Sequence, residues 1–288
     1  MAPVSLRQFL WLFVLGFSLS CLFSCAAERE TTYKRIKKSG VIRIGYANDV
    51  PYGYSSDQRE LTGEAPEIAK IVMAKMGVHK MEGILVEFGS LIAGLKAGSY
   101  DMIAAGMFVT PDRCQEISFS EPTYRVDQAF AVKKGNPKNI TSYEEIAEAE
   151  NAIICVMEGA VESKYARAVG IPESRILTVP NTTTGLETII NGQADALALS
   201  SISIQNLLRE SSSEKIEQAR PFTNPVINGK EVKGYGAFGF RKEDIELLKE
   251  FNKHLTSFIG TKEHLDTVKP FGFTDFPEGI TTAELCAN

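Results

Sequence analysis

The chain is poor in the residues on which most active sites are built: its 288 residues include one tryptophan, three histidines and five cysteines. No C-x-x-C, H-E-x-x-H, G-x-S-x-G or Walker-type glycine loop occurs. Thiol-redox, zinc-protease, serine-hydrolase and phosphate-loop chemistries therefore have no recognisable footing. His79, His254 and His264 fall in or beside helical stretches rich in Lys and Glu, where a solvated face is the expected role for each. No nucleophile–base pair assembles from the rest, which disfavours an enzyme, and no metal or other cofactor is expected. Clustered positive charge is missing too. Lys34, Arg35, Lys37 and Lys38 are expected on the solvated face of a first helix, and the net charge of −5 argues against a nucleic-acid partner. What is present is a globular composition, 44% hydrophobic and 23% charged, which rules out a disordered chain, a coiled coil and a disulfide-dense miniprotein. A chain of this length forms one or two domains.

Long apolar runs are missing except at the start. Arg7 precedes an unbroken run over residues 9–15 that continues apolar to Phe23. This reads as a signal peptide over residues 1–25, too short and wrongly flanked for an ordinary spanning helix. The run ends Leu22-Phe23-Ser24-Cys25, which resembles a bacterial lipobox with Cys25 as the lipidated residue; ordinary cleavage after Ala26 or Ala27 is the alternative. Either way the mature protein is expected outside the cytoplasm, meeting the membrane only through a lipid anchor, and as a monomer. An oxidising compartment permits a disulfide. Spacing alone does not decide its pairing. Cys155 sits in the apolar run Ile153 to Met157 and reads as core, which leaves Cys114 and Cys286 as the expected pair.

From residue 33 onward, short β-like runs alternate with helical ones. Residues 41–46 read as a strand, 66–77 as a helix with Ile68, Ile71, Val72 and Met76 on one face, 85–88 as extended, 91–95 as helix and 102–105 as strand. Residues 143–150, 162–169 and 185–191 read as helices interleaved with strands at 152–156, 176–179 and 196–199. Such alternation implies parallel sheets covered on both faces. A last helix spans 243–259, with Ile245, Leu248, Phe251, Leu255, Phe258 and Ile259 as its apolar stripe. Two extended pieces, 128–132 and 235–240, are placed to cross between halves. The expected class is α/β: two lobes, each a sheet flanked by helices, joined by two hinge strands. Residues 30–133 and 235–288 form the first lobe and 134–234 the second. Ligands bind such folds in the cleft where strand C-terminal ends converge.

Three aromatic loops follow strands of the first lobe. Asp49-Val50-Pro51-Tyr52-Gly53-Tyr54 follows the first strand, Glu87-Phe88-Gly89 ends the second, and Met107-Phe108-Val109-Thr110-Pro111-Asp112-Arg113 follows the third. A lone aromatic after a strand is usually core. Three at equivalent loop positions beside an arginine point instead to a ligand platform, in which Arg113 presents a planar fork to a carboxylate and the rings suit a cation.

These segments carry a resemblance. Gly63 to Ala69, Leu95 to Asp101, Thr110 to Tyr124 and Asn191 to Ala196 read G-x-x-P-E-I-A, L-x-A-G-x-Y-D, T-P-D-R with F-S-E-P-T-Y, and N-G-Q-A-D-A. They resemble the polar amino-acid solute-binding proteins of ABC importers, family 3. That implies a periplasmic-binding-protein fold of type II kind, a small zwitterionic ligand, a membrane permease as partner, and Arg113 as the carboxylate holder. A narrower resemblance is to ectoine- and hydroxyectoine-binding members. It rests on Ala47 to Tyr52, Phe88-Gly89, Gly106 to Cys114, Lys133 to Pro137, Pro270 to Phe273 and Thr281 to Cys286. It implies a box of Tyr52, Phe88 and Phe108 around a compact cationic ring, Asp49 facing the positive end, with Gly106, Val161 and Ser200 completing the ligand-binding set.

Two departures accompany it. Ordinary family members carry an Asp at the position of Ser200, where it holds the ligand α-ammonium. Leaving a primary ammonium unpaired in a closed cleft costs several kcal/mol, so Ser200 favours a cyclic amidinium or quaternary ammonium unless Asp49 or Asp127 compensates. The second-lobe helix start, Glu158-Gly159-Ala160-Val161-Glu162, lacks the usual hydroxyl; Glu158 either adds an acid to the cleft or sits on its edge. An exported enzyme of the cyclohexadienyl-dehydratase type is the reading from a different class.

Overall fold

The computed structural model describes residues 30–277 and 279–287; the signal peptide, the lipobox-like stretch and Cys25 lie outside the described residues. Two mixed sheets form the two lobes. In the first, Val41–Tyr46 lies between the parallel strands Lys80–Leu85 and Met102–Phe108, and Gly234–Phe240 runs antiparallel beyond Met102–Phe108. All seven residues of Met102–Phe108 are buried, as a strand covered on both faces requires. The second sheet repeats the plan: Ile154–Met157 lies between the parallel strands Ile176–Val179 and Ala196–Ser200. Gln128–Lys133 runs antiparallel to Ala196–Ser200, with Ile216–Gln218 outside it. Each sheet thus has a point where the strand order reverses beside its central strand, and the loops leaving those strands open into the space between lobes.

The chain crosses between sheets at residues 126–128 and 232–234. The sequence reading ends the first lobe at residue 133; because Gln128–Lys133 pairs within the second sheet, the first crossing falls five or so residues earlier. Asp127 binds the two crossings together, accepting from Lys233 Nζ at 2.7 Å and Asn224 Nδ2 at 2.9 Å. Asp127 is therefore a crossing residue, not the compensating acid of the cleft.

The second strand is also displaced from its expected place. Residues 85–88 carry the apolar side chains, yet the paired strand is Lys80–Leu85, and Phe88 opens a short 3-10 turn. That strand is an edge with no buried residue, and Ile84 and Leu85 side by side break the alternation, so period-two patterning is weak. In the long helix Ile245–Phe258, Leu247 takes the place expected of Ile245, which is 71% exposed. Phe251 of this helix packs on Phe238 of the sheet with ring centroids 4.9 Å apart.

Of the four basic residues in the first helix, Thr32–Ser39, three point outward, but Arg35 turns in to Asp101 at 2.6 Å. Arg43 donates to the same carboxylate from its backbone N–H and its guanidinium. Burial pushes the Asp101 pKa up, but the hydrogen bonds from Arg43 and Arg35 outweigh it and hold the carboxyl below its ordinary range. The Tyr100-Asp101 motif thereby locks the first strand to the third. Cys114 and Cys286 are joined, tying the last helix, Thr282–Ala287, to the short helix Pro111–Glu116, and Cys155 is buried and free.

His79 is exposed and His254 half-buried, but His264 is fully buried, contrary to a solvated role. It lies edge-on between Phe258 and Phe276 and accepts at Nδ1 from the Gly260 N–H, while Nε2 has no partner among the described residues. Burial pushes its pKa down to about 4. Because the folded value lies below the unfolded one of about 6.5, His264 destabilises the fold as pH falls from 6.5 towards 4 and has no such effect above 6.5. Urea denaturation at pH 7.5 and pH 4.5 checks this: wild type is expected to lose at least about 1 kcal/mol more between the two pH values than His264→Leu.

Candidate functional site

Between the lobes lies a small cavity of about 30 Å³, partly open to solvent, and all eight residues expected at the ligand site line it: Asp49, Tyr52, Phe88, Gly106, Phe108, Arg113, Val161 and Ser200. Met157, Ala160, Glu162, Leu199 and Ser203 complete the wall. First-lobe residues come from the loops after the three parallel strands and the end of Met102–Phe108. Second-lobe residues come from the equivalent loops after Ile154–Met157 and Ala196–Ser200. Topology alone brings them together.

Arg113 sits in the helix Pro111–Glu116, which Thr110 caps by accepting from the Arg113 N–H and which Pro111 opens. The guanidinium is 8% exposed; Nη1 donates to Phe108 O at 2.7 Å and Nη2 to Gly159 O at 2.9 Å, one carbonyl from each lobe. Its carbon stands 5.6 Å from the centroid of the Phe88 ring. A guanidinium has five N–H donors; these two bonds leave the others for a ligand. Burial lowers its pKa, against which the charge of Glu162 acts, and the group remains cationic.

The aromatic wall is supported from behind. Tyr52 packs on Tyr124 and Phe273 at 5.3 and 5.4 Å, and Phe108 meets Tyr124 at 6.3 Å. Tyr124 donates to Gly106 O at 2.7 Å. Thus the F-S-E-P-T-Y and P-x-G-F motifs supply rings that buttress the box without lining it. Gly106 has a φ of +63, and a Cβ there would meet the Tyr52 ring at 2.2 Å. Only glycine lets Tyr52 lie against the strand.

Tyr52 also reaches the second lobe, donating to Ser200 Oγ at 2.7 Å. Ser200 caps the helix Ser201–Ser211 and donates to Ser203 Oγ, which donates in turn to Asp49 Oδ1 at 3.3 Å. A neutral hydroxyl chain therefore runs from Tyr52 through Ser200 and Ser203 to Asp49. At the cavity mouth Gly159 and Gly89 bring the two backbones together: a Cβ on Gly159 would lie 2.6 Å from the Gly89 Cα. Lys164 of the second lobe pairs with Asp112 of the first beside it.

Sequence reasoning missed Glu162 and Ser203. Glu158 is exposed and does not line the cavity, whereas Glu162 is 4% exposed and does. Burial pushes Glu162 up to about 7, eased by its own backbone N–H and by Arg113. Burial likewise pushes Asp49 up to about 7, the charge of Glu162 adding to the rise and Ser203 opposing it. No signal within the segment marks Glu162, which opens the helix Glu162–Ala168 where an acid is ordinary. Among the described residues, no group of His, Cys, Asp and Glu is arranged to hold a metal ion.

The sequence profile of bacterial extracellular solute-binding proteins, family 3, matches residues 42–271. The chain belongs to that family. It is the solute-binding component of an amino-acid-type ABC importer, an exported protein whose relatives bind small ligands and work with ABC permeases. It is 35% identical to a probable amino-acid ABC transporter periplasmic-binding protein, y4tE, of Sinorhizobium fredii, over 94% of this chain and 91% of that one. The solved structure of EhuB in complex with hydroxyectoine is similar at a TM-score of 0.81 and 30% identity, covering 89% of this chain and 98% of that one. A cyclohexadienyl dehydratase of Pseudomonas aeruginosa is a more distant relative, 24% identical over 64% of this chain and 70% of that one.

The two glycines Gly106 and Gly98 separate strain from crowding. Both have φ near +70, but around Gly98 a Cβ would meet nothing within 4 Å. In chemical denaturation Gly98→Ala is expected to cost about 1 kcal/mol from backbone strain, and Gly106→Ala about 2–4 kcal/mol because the Tyr52 ring must also move.

Proposed function

We infer that this protein captures a small zwitterionic compatible solute of the ectoine or hydroxyectoine type between its lobes and presents it to the importer's membrane permease. The observation that carries this reading is that the rings of Tyr52, Phe88 and Phe108 line one cavity between the lobes together with the Arg113 guanidinium and the Asp49 carboxylate. Aromatic faces favour a positive charge spread over a ring, each contact contributing about 0.5–2 kcal/mol when desolvated. The remaining N–H groups of Arg113 suit a carboxylate. Ser200 supports the same ligand class, since its hydroxyl is engaged by Tyr52 and Ser203 and carries no charge for an α-ammonium. In this reading the lobes close on the ligand by movement at the two crossings, the protein acts without catalysis, and a monomer is held at the membrane by a lipid on Cys25. A standard or modified amino acid is the second reading, favoured by Glu162, a buried acid able to take over the ammonium.

Calorimetric titration of the purified protein with ectoine, hydroxyectoine, glycine betaine and the standard amino acids tests it. Ectoines are expected to bind at micromolar affinity or better, roughly −8 kcal/mol, and Arg113→Ala to lose at least about 30-fold. Tight binding of a standard amino acid in place of the ectoines overturns the ligand class. Unchanged affinity in Arg113→Ala overturns the carboxylate assignment.

A further inference from the structure

Glu162 and Asp49 are two carboxylates buried in one cavity from opposite lobes, and the protein provides them with almost no donors. Asp49 receives a single long bond from Ser203 at 3.3 Å. Among the described residues no side chain donates to Glu162, whose own backbone N–H is its only donor. Among the described residues, the charged and titratable groups interacting with the pair include Arg113, Tyr52, Tyr124, Tyr143 and Tyr165, with the buried Glu64 beyond Tyr52 and Tyr124. Only Arg113 is cationic, and both its Nη groups are directed at the carbonyls of Phe108 and Gly159. A buried carboxylate needs hydrogen bonds as well as opposite charge, because each unmet lone pair carries its desolvation cost. Ring faces and a diffuse positive charge satisfy the second need and not the first.

We propose that Glu162 is a specificity-determining residue that closes from the second lobe on the ligand's positive group opposite Asp49, selecting cations that present N–H donors to two sides and rejecting quaternary ammonium. This rests on the reading that Arg113 holds the carboxylate of a zwitterion. It goes further by dividing that class: an amidinium ring carries N–H groups for both acids, whereas a trimethylammonium group carries none.

The test is calorimetric titration of wild type, Glu162→Gln and Glu162→Asp with ectoine, glycine betaine and arginine, with thermal melting of each variant. Wild type is expected to bind an N–H cation and to bind glycine betaine at least about 30-fold more weakly. Glu162→Gln is expected to lose about 30-fold for the N–H cation, to lose nothing in melting temperature, and to be partly rescued by Glu162→Asp. A structural role alone would lower the melting temperature and leave the selectivity ratio unmoved. Glycine betaine binding as tightly as the N–H cations, or Glu162→Gln binding within about threefold of wild type, overturns the proposal and leaves the zwitterion reading standing. If arginine binds in place of ectoine, the ectoine reading falls while the Glu162 comparison is made on arginine. If no N–H cation binds, both fall.

Discussion

The constraint on which the rest depends is the burial of charge between the lobes. A guanidinium and two carboxylates stand in one cavity, each at most 8% exposed. Isolated ions in such a place cost several kcal/mol apiece even after relaxation. The fold meets part of that cost for Arg113 with two carbonyls, and those carbonyls belong to different lobes. The arginine is therefore both a candidate ligand group and a strut across the cleft. The Cys114–Cys286 bridge begins at the next residue, so the helix bearing Arg113 is fastened to the end of the chain as well as to the sheet. Holding a charged fork in one orientation needs this kind of support, because a guanidinium free to turn would lose its geometric selectivity.

Topology explains why so few elements suffice. In both sheets the strand order reverses beside the first parallel strand, and the site residues leave from the loops at that reversal. Short loops after buried strands inherit the rigidity of the sheet, so Phe108 and Arg113, at and just beyond the end of Met102–Phe108, are positioned by backbone already fixed in the core. The glycines mark where two backbones, or a backbone and a ring, must touch: Gly106 under Tyr52 and Gly159 against Gly89. The Asp127–Lys233 pair at the crossings is about a third to half exposed, where solvent screens ion pairs to small values. Its effect is to keep the two crossings side by side rather than to add much stability.

Much of this was legible because the first-lobe site is local in sequence. Each aromatic follows its strand within a few residues, and a repeated arrangement is visible without knowing any contact. The second lobe offered no such repetition. Glu162 stands in the first turn of a helix, where an acid is ordinary for electrostatic reasons, and nothing within the segment separates that role from a cavity wall. Its neighbour Glu158 is as plausible from sequence, and only the turn at Gly159 decides which of the two faces inward. The edge strand Lys80–Leu85 was hidden because none of its residues is buried and its six residues hold no sustained alternation. His264 was hidden because its burial depends on Phe276, part of the C-terminal segment folded back over the lobe. Gln128–Lys133 read correctly as extended, but the sheet it joins is fixed by pairing partners some 70 residues away.

The second-lobe acid changes how ligand uptake and closure are linked. Asp49 and Glu162 belong to different lobes, so only a closed cleft brings the two carboxylates into one low-dielectric space. Each would then bind a proton about half the time at a pH near 7, whereas either one alone in water is ionised. Closing without a cation therefore means either taking up protons or burying like charges, and both oppose closure at neutral and higher pH. A ligand carrying a positive group with its own donors removes the penalty at the moment of closure. Its differential affinity for the closed arrangement is then large by construction, which is the only way a ligand shifts a conformational equilibrium. Under the proposed reading, the two acids that make the closed cavity costly are the same groups that make closure conditional on the right cargo.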